Sequence, residues 1–166
     1  DALTLQAVLL LAPEDARAWY YLGNFWFDKR QYADAIACWE RSAALDATFP
    51  TVWRNLALAR FNKQQKAPEA LECMEKAFSL DASDARVLME LDQLYKKLGH
   101  SHEQRLRMLD RYPDLVEARD DLYLERITLL NQLARYEEAR QMISRRTFHP
   151  WEGGEGKVPA QYQIAH

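Results

Sequence analysis

From Asp15 onward, large apolar residues fall at helical spacing between polar ones, with Trp19, Leu22 and Trp26 on one face, which predicts a helix to about Lys29. A second stretch from about Tyr32 carries Ala35, Ile36, Trp39 and Ala43 to Leu45, the pattern of a partner helix. Further on, Trp53 and Leu56 face Leu71, Met74 and Ala77 across predicted helices over 50–62 and 68–80, with Pro68 suited to a first helical turn. Leu88, Leu91 and Tyr95 predict a helix over 84–98. It stops at Gly99-His100, and Ser101 with Gln104 has the form of a capping box opening the next helix, 101–112, which carries Leu106, Met108 and Leu109. Leu122, Tyr123, Ile127 and Leu130 predict one long helix over 115–133, with Ala134 matching the stop at Gly99, and Ala139, Met142 and Ile143 predict another from about Tyr136. Leu3, Ala7, Leu10 and Leu11 place one more helix before the break at Pro13.

These helices recur with a period. Trp19-Tyr20-Tyr21-Leu22-Gly23 returns thirty-four positions later as Trp53-Arg54-Asn55-Leu56-Ala57, while Ala35 and Ala70, Cys38 and Cys73, and Leu45-Asp46 and Leu80-Asp81 are thirty-five apart. A unit of two short helices cannot bury its own apolar face, so neighbouring units must stack to share one core. The expected fold is therefore all-α, an α-solenoid of stacked antiparallel helix pairs. Its boundaries are a partial repeat over 1–14, repeats at about 15–48, 49–83, 84–113 and 114–146, and an irregular glycine-rich segment with the start of a further helix over 147–166.

Composition narrows the partner. At 48% hydrophobic and 28% charged, the 166 residues have the make-up of a soluble globular domain, and a net charge of −3 provides no long-range attraction for nucleic acid or an anionic membrane. No apolar run approaches the roughly 20 residues needed to cross a bilayer. Asp1 rather than Met opens the chain, as expected of a piece of a longer polypeptide, and the expected location is cytoplasmic. Cys38 and Cys73, at equivalent places in successive units, are expected to be buried free thiols.

The residues Trp19, Leu22, Gly23, Trp26, Tyr32, Ala35 and Trp39 resemble the tetratricopeptide repeat, and Trp53, Leu56, Ala57, Ala70 and Met74 repeat the likeness with Arg60 in place of an aromatic. The next two units are degenerate. Leu88 and Tyr123 stand for Trp, Asp92 and Ile127 for the small residue of the first helix, and Gln104 for the Ala of the second, which Ala139 restores. Asp92 and Gln104 imply a looser or differently angled third pair. The tail, Phe148-His149-Pro150-Trp151-Glu152-Gly153-Gly154-Glu155-Gly156-Lys157, resembles a segment of large bacterial repeat proteins that join such helices to a sugar-associated domain of unknown function.

The resemblance implies that the first helix of each pair lines a concave groove, which places Arg17, Tyr20, Asn24, Phe27, Arg54, Asn55, Leu58, Phe61, Arg86, Met89, Gln93 and Lys96 toward a ligand. Amide, guanidinium and aromatic groups are what an extended peptide requires: Asn both donates to and accepts from its backbone, Arg grips carboxylates, and Phe and Tyr anchor apolar side chains. Asn24, Asn55 and Arg86 match part of the clamp with which some relatives hold a peptide's terminal carboxylate. Tyr20 and Glu90 stand where its other cations belong, which implies internal segments or neighbouring domains instead.

No arrangement of nucleophile and base is visible. His100, His102, His149 and His166 lack ligand spacing for a metal, and Gly153-Gly154-Glu155-Gly156-Lys157 lacks the upstream glycine, hydroxyl and strand of a phosphate-binding loop. The expectation is a noncatalytic interaction scaffold with no cofactor and no metal. Self-association through exposed repeat ends is a further expectation. As an alternative, His149, Trp151, Glu152 and Glu155 of the 148–157 loop would serve a carbohydrate-processing site on another domain.

Overall fold

The computed structural model describes residues 2–148; the glycine-rich loop, His149, Trp151, Glu152 and Glu155 and the helix expected after Val158 lie outside the described residues. Those described are helical, in ten elements: α1 (Ala2–Leu11), α2 (Ala16–Asp28), α3 (Tyr32–Leu45), α4 (Pro50–Gln64), α5 (Ala67–Leu80), α6 (Ala85–Lys97), α7 (His102–Leu109), α8 (Pro113–Ala118), α9 (Asp120–Gln132) and α10 (Tyr136–Ser144). The fold is all-α, of the α-solenoid class. It divides into two compact units between Ala82 and Ser83.

In the first unit each helix packs on the next, α1 on α2 through to α4 on α5. Asp15 starts α2 by accepting from the backbone N–H groups of Arg17 and Ala18 at 2.9 and 3.0 Å, and Pro50 opens α4 where no N–H is needed. The repeat is visible in hydrogen bonds as well as in packing. The indole N–H of Trp19 donates to the Pro13 carbonyl, and that of Trp53 to the Ala47 carbonyl, both at 2.9 Å and both six residues back. Ala35, Ala57 and Ala70 are fully buried where helices touch, and Leu22, Leu56 and Met74 fill the space between.

Each hairpin turns through a left-handed residue: Arg30 (φ 62°), Gln65 (φ 56°), Gly99 (φ 77°) and Ala134 (φ 58°). The bonds that close these turns recur too, Gln31 N–H to Trp26 O at 2.9 Å, His100 N–H to Tyr95 O at 3.0 Å, and Arg135 N–H to Leu130 O at 2.8 Å.

The second unit departs from expectation twice. The long helix expected over 115–133 is two, α8 and α9, broken at Arg119, whose backbone is extended (φ −135°, ψ 130°). Side chains replace the lost helical bonds: Arg146 donates to the Glu117 carbonyl at 2.8 Å, Asp121 accepts from the Leu122 N–H at 2.8 Å, and the Arg119 guanidinium forks onto the same Asp121 carboxylate at 2.9 and 2.7 Å. Second, Gln104 is not the buried position of α7. It is exposed, completing the capping box with Ser101, and Arg105 occupies the fourth helical position that Ala35, Ala70 and Ala139 hold in α3, α5 and α10.

That exchange gives the second unit a polar centre. Arg105 donates to both carboxylate oxygens of Asp92, at 3.0 and 2.6 Å, and to Glu125 Oε1 at 2.6 Å; Lys96 Nζ reaches Glu125 at 2.9 Å from the rim. Burial pushes the Asp92 carboxyl above its ordinary value against the pull of Arg105. Burial also raises Glu125, but its bonds from Arg105 and Lys96 outweigh that and hold it below the usual range. Ions join the third helix pair, yet α6 and α7 approach each other over much less of their backbones than α2 and α3 or α4 and α5 do, as expected of a looser pair.

Candidate functional site

The first unit contains an open groove of about 840 Å³ between α2 and α4, lined by Asn24, Phe27, Asp28, Trp39, Asn55, Leu58, Asn62 and Lys63. Helical spacing explains the α2 wall, since Asn24, Phe27 and Asp28 lie within one turn and a residue of one another. Phe27 is held by rings on two sides, 5.2 Å from Tyr32 and 5.5 Å from Trp39 between centroids. Lys63 lies with its ammonium 4.4 Å over the Tyr32 ring. The floor is polar: Asn24 Oδ1 accepts from the Trp39 indole N–H at 3.1 Å and from Asn55 Nδ2 at 3.2 Å.

Trp39 reaches this position because of Gly23. A Cβ at Gly23 would overlap the indole ring, so only glycine lets the ring lie against the α2 backbone, where its N–H is also 3.3 Å from the Tyr20 carbonyl. The energetic logic is that a helix-interior glycine costs about 1 kcal/mol relative to alanine, a cost offset here by seating a large aromatic side chain that is 3% exposed.

Of the residues expected to face a ligand, Asn24, Phe27, Asn55 and Leu58 meet in this groove. Arg17 and Tyr20 do not line it. They gather around Phe49, the Arg17 guanidinium 5.9 Å from the ring centroid and the Tyr20 ring 4.9 Å away, edge-on. Arg54 and Phe61 are half-buried on α4 outside the groove lining. Arg86 is exposed on α6 of the second unit, 3.6 Å from a half-buried Glu90 in an i,i+4 pair, Met89 and Gln93 are half-buried there, and Lys96 is bonded to Glu125. Sequence reasoning missed Asp28, Asn62 and Lys63 and gave Trp39 to the core. A buried indole needs an acceptor for its N–H, and that requirement was the available signal.

A second cavity of about 900 Å³ lies among α1, α2 and α3, lined mainly by Leu9, Leu10, Trp19, Leu22, Trp26 and Cys38. Among the described residues, no three His, Cys, Asp or Glu side chains come together as a metal site, and no helix is long and apolar enough to cross a membrane.

The family model for the tetratricopeptide repeat matches residues 16–49, which span α2, α3 and the turn between them. The fold is similar to that of YrrB, a protein whose crystal structure is described as a tetratricopeptide-repeat protein with an unusual peptide-binding site; the TM-score is 0.71 at 19% identity, covering 87% of this chain and 73% of that one. It is also similar to MamA, with a TM-score of 0.68 at 18% identity over 86% of this chain and 77% of that one, and in another crystal structure 0.67 at 16% identity over 99% and 84%. Residues 16–49 thus form a tetratricopeptide repeat, and the described helices share the fold of tetratricopeptide proteins.

Proposed function

We propose that the chain is a noncatalytic interaction scaffold, and that its first unit seats an extended peptide, or a segment of a neighbouring domain, in the groove between α2 and α4. The observation that carries this reading is the joining of two polar amides, Asn24 and Asn55, to an apolar wall of Phe27 and Leu58 in one open groove. The amides answer a peptide backbone, the apolar wall receives a side chain, and Lys63 beside Asp28 offers both charges at the rim. Arg17 and Tyr20 around Phe49, and Arg54 and Phe61 along α4, would extend the contact within the first unit. That YrrB has a peptide-binding site supports the class of ligand.

The test is capture of acetylated, amidated octapeptides from a positional-scanning library, which have no free terminal carboxylate. The chain is expected to select sequences, and Phe27→Ala with Leu58→Ala to abolish selection while helicity by circular dichroism is retained. Undiminished selection by that double variant would reject the groove.

Self-association is a second reading, favoured by Leu3, Leu10 and Leu11 of α1, which are 76%, 86% and 89% exposed. Light scattering is expected to show mass rising with concentration, and Leu10→Glu with Leu11→Glu to suppress the rise. A constant monomer mass would reject this reading.

A further inference from the structure

The amides at the floor of the groove have one orientation available. An indole N–H donates and cannot accept, so the Asn24 atom facing Trp39 at 3.1 Å must be its oxygen. The same oxygen takes its other bond at 3.2 Å, so the Asn55 atom there must be the NH2 group. The constraint passes down the pair. Asn24 turns its two N–H donors away from Trp39, Asn55 turns its carbonyl oxygen away from Asn24, and among the described residues neither outward group has a protein partner. Both residues are half-buried in the groove wall, so these groups are open to a ligand.

We propose that Trp39, by fixing this pair, gives the groove a direction, so that it selects extended peptide segments in one chain polarity. This rests on the groove reading above. A donor at Asn24 beside an acceptor at Asn55 fits the backbone C=O and N–H of an extended residue when the chain runs one way. Run the other way, the chain presents donor to donor and acceptor to acceptor. Two polar groups on each side then lose water without gaining partners, a difference worth about tenfold or more in affinity. Trp39 is a positioning residue here: its ring belongs to the core, and its N–H sets which atom of each amide the ligand meets.

The experiment takes the best octapeptide from the library and its retro-inverso analogue, which keeps the order of side chains along the groove and reverses every backbone amide. Anisotropy titrations are expected to show the parent binding about tenfold more tightly or better. Trp39→Phe keeps an aromatic ring and has no N–H; it is expected to bring the two ligands close to equal affinity. Asn24→Asp keeps both internal bonds, since a carboxylate still accepts from Trp39 and Asn55, but has no donor for the ligand. It is expected to weaken the parent about tenfold while the urea unfolding midpoint holds. Equal binding of parent and analogue by the unaltered chain, or full affinity in Asn24→Asp, would overturn the proposal even where Phe27→Ala with Leu58→Ala abolishes capture and the groove reading stands. If no octapeptide binds, or that double variant still binds, the groove reading fails and this inference fails with it.

Discussion

Arg105 grips Asp92 with two parallel hydrogen bonds, of 3.0 and 2.6 Å, where α7 crosses α6 and both side chains are almost without exposure. In the first hairpin the equivalent places on α2 and α3 are Gly23 and Ala35, the small residues that allow close helix contact. At α6 and α7, which approach each other less closely, the ion pair spans the gap instead.

Removing one partner leaves the others charged in the core. Arg105→Met is expected to destabilise the second unit by about 3–5 kcal/mol, because Asp92 loses its counterion and Glu125 keeps only Lys96. Asp92→Leu, Arg105→Met and Glu125→Gln together replace ions with apolar bulk and one neutral amide, and are expected to recover most of that loss. Urea unfolding followed by far-ultraviolet circular dichroism measures both. A single variant as stable as the parent would show that the clasp contributes nothing.

The same network sets an acid dependence. Glu125 is held below its ordinary value of 4.5, so the folded state binds its proton less readily than the unfolded state does. Its contribution is present above about pH 4.5 and is lost as the pH falls through its lowered folded value. Asp92 is shifted the other way, and its contribution has the opposite sign: present at low pH and lost as pH rises through its raised value. The comparison that isolates Glu125 is therefore with Glu125→Gln, which should be less stable than the parent at neutral pH and lose less between pH 5 and the acid limit. Parallel pH profiles for the two proteins would refute this assignment.

Gly23 and Trp39 make a contrasting prediction for the first unit. Alanine is the better helix former, yet a methyl at position 23 would overlap the indole. Gly23→Ala is expected to lower stability by about 1–3 kcal/mol, as overpacking does, and the smaller ring of Trp39→Phe in the same chain should reduce that loss. Tryptophan fluorescence suits the measurement, since Trp19, Trp26, Trp39 and Trp53 all report on this unit. Additive effects of the two changes would show that they are not in contact.

The legible parts of the chain were those where one local rule suffices. The period, the Ser101–Gln104 capping box and Pro68 in a first turn predicted α2 to α7 within a few residues, because apolar spacing and capping act within a turn or two. The turn at Ala134 was legible only by position, since alanine carries no turn signal of its own. Where the reading slipped, a distant partner decides. Arg105 instead of Gln104 at the buried place makes sense only with Asp92 and Glu125 beside it, and the break at Arg119 has no Pro or Gly to announce it, only Arg146 and Asp121 to satisfy the freed backbone. The groove shows the same division. Asn24, Phe27, Asn55 and Leu58 follow from the family resemblance, while Lys63 and Asn62 lie at the end of α4, and the role of Trp39 depends on a glycine on another helix.

The two thiols give the last prediction. Cys38 and Cys73 are free and buried in equivalent places on α3 and α5. Burial, with some help from Asp34, pushes the Cys38 thiol up to about 11. Burial raises Cys73 as well, outweighing the Arg60 guanidinium that donates to its sulfur at 3.0 Å. Alkylation needs the thiolate, and burial disfavours it at both sites. Iodoacetamide at pH 8 is therefore expected to modify Cys38 about a hundredfold more slowly in the folded chain than in the urea-unfolded chain, the factor that a thiol near 11 implies against an ordinary one. Cys73 should be the faster of the two, because Arg60 favours its thiolate and no such cation attends Cys38 in the contacts described. Peptide mapping of partly alkylated protein separates the sites. Rapid labelling of Cys38 in the folded chain would mean that α3 does not bury it, and the packing of α2 on α3 would have to be redrawn.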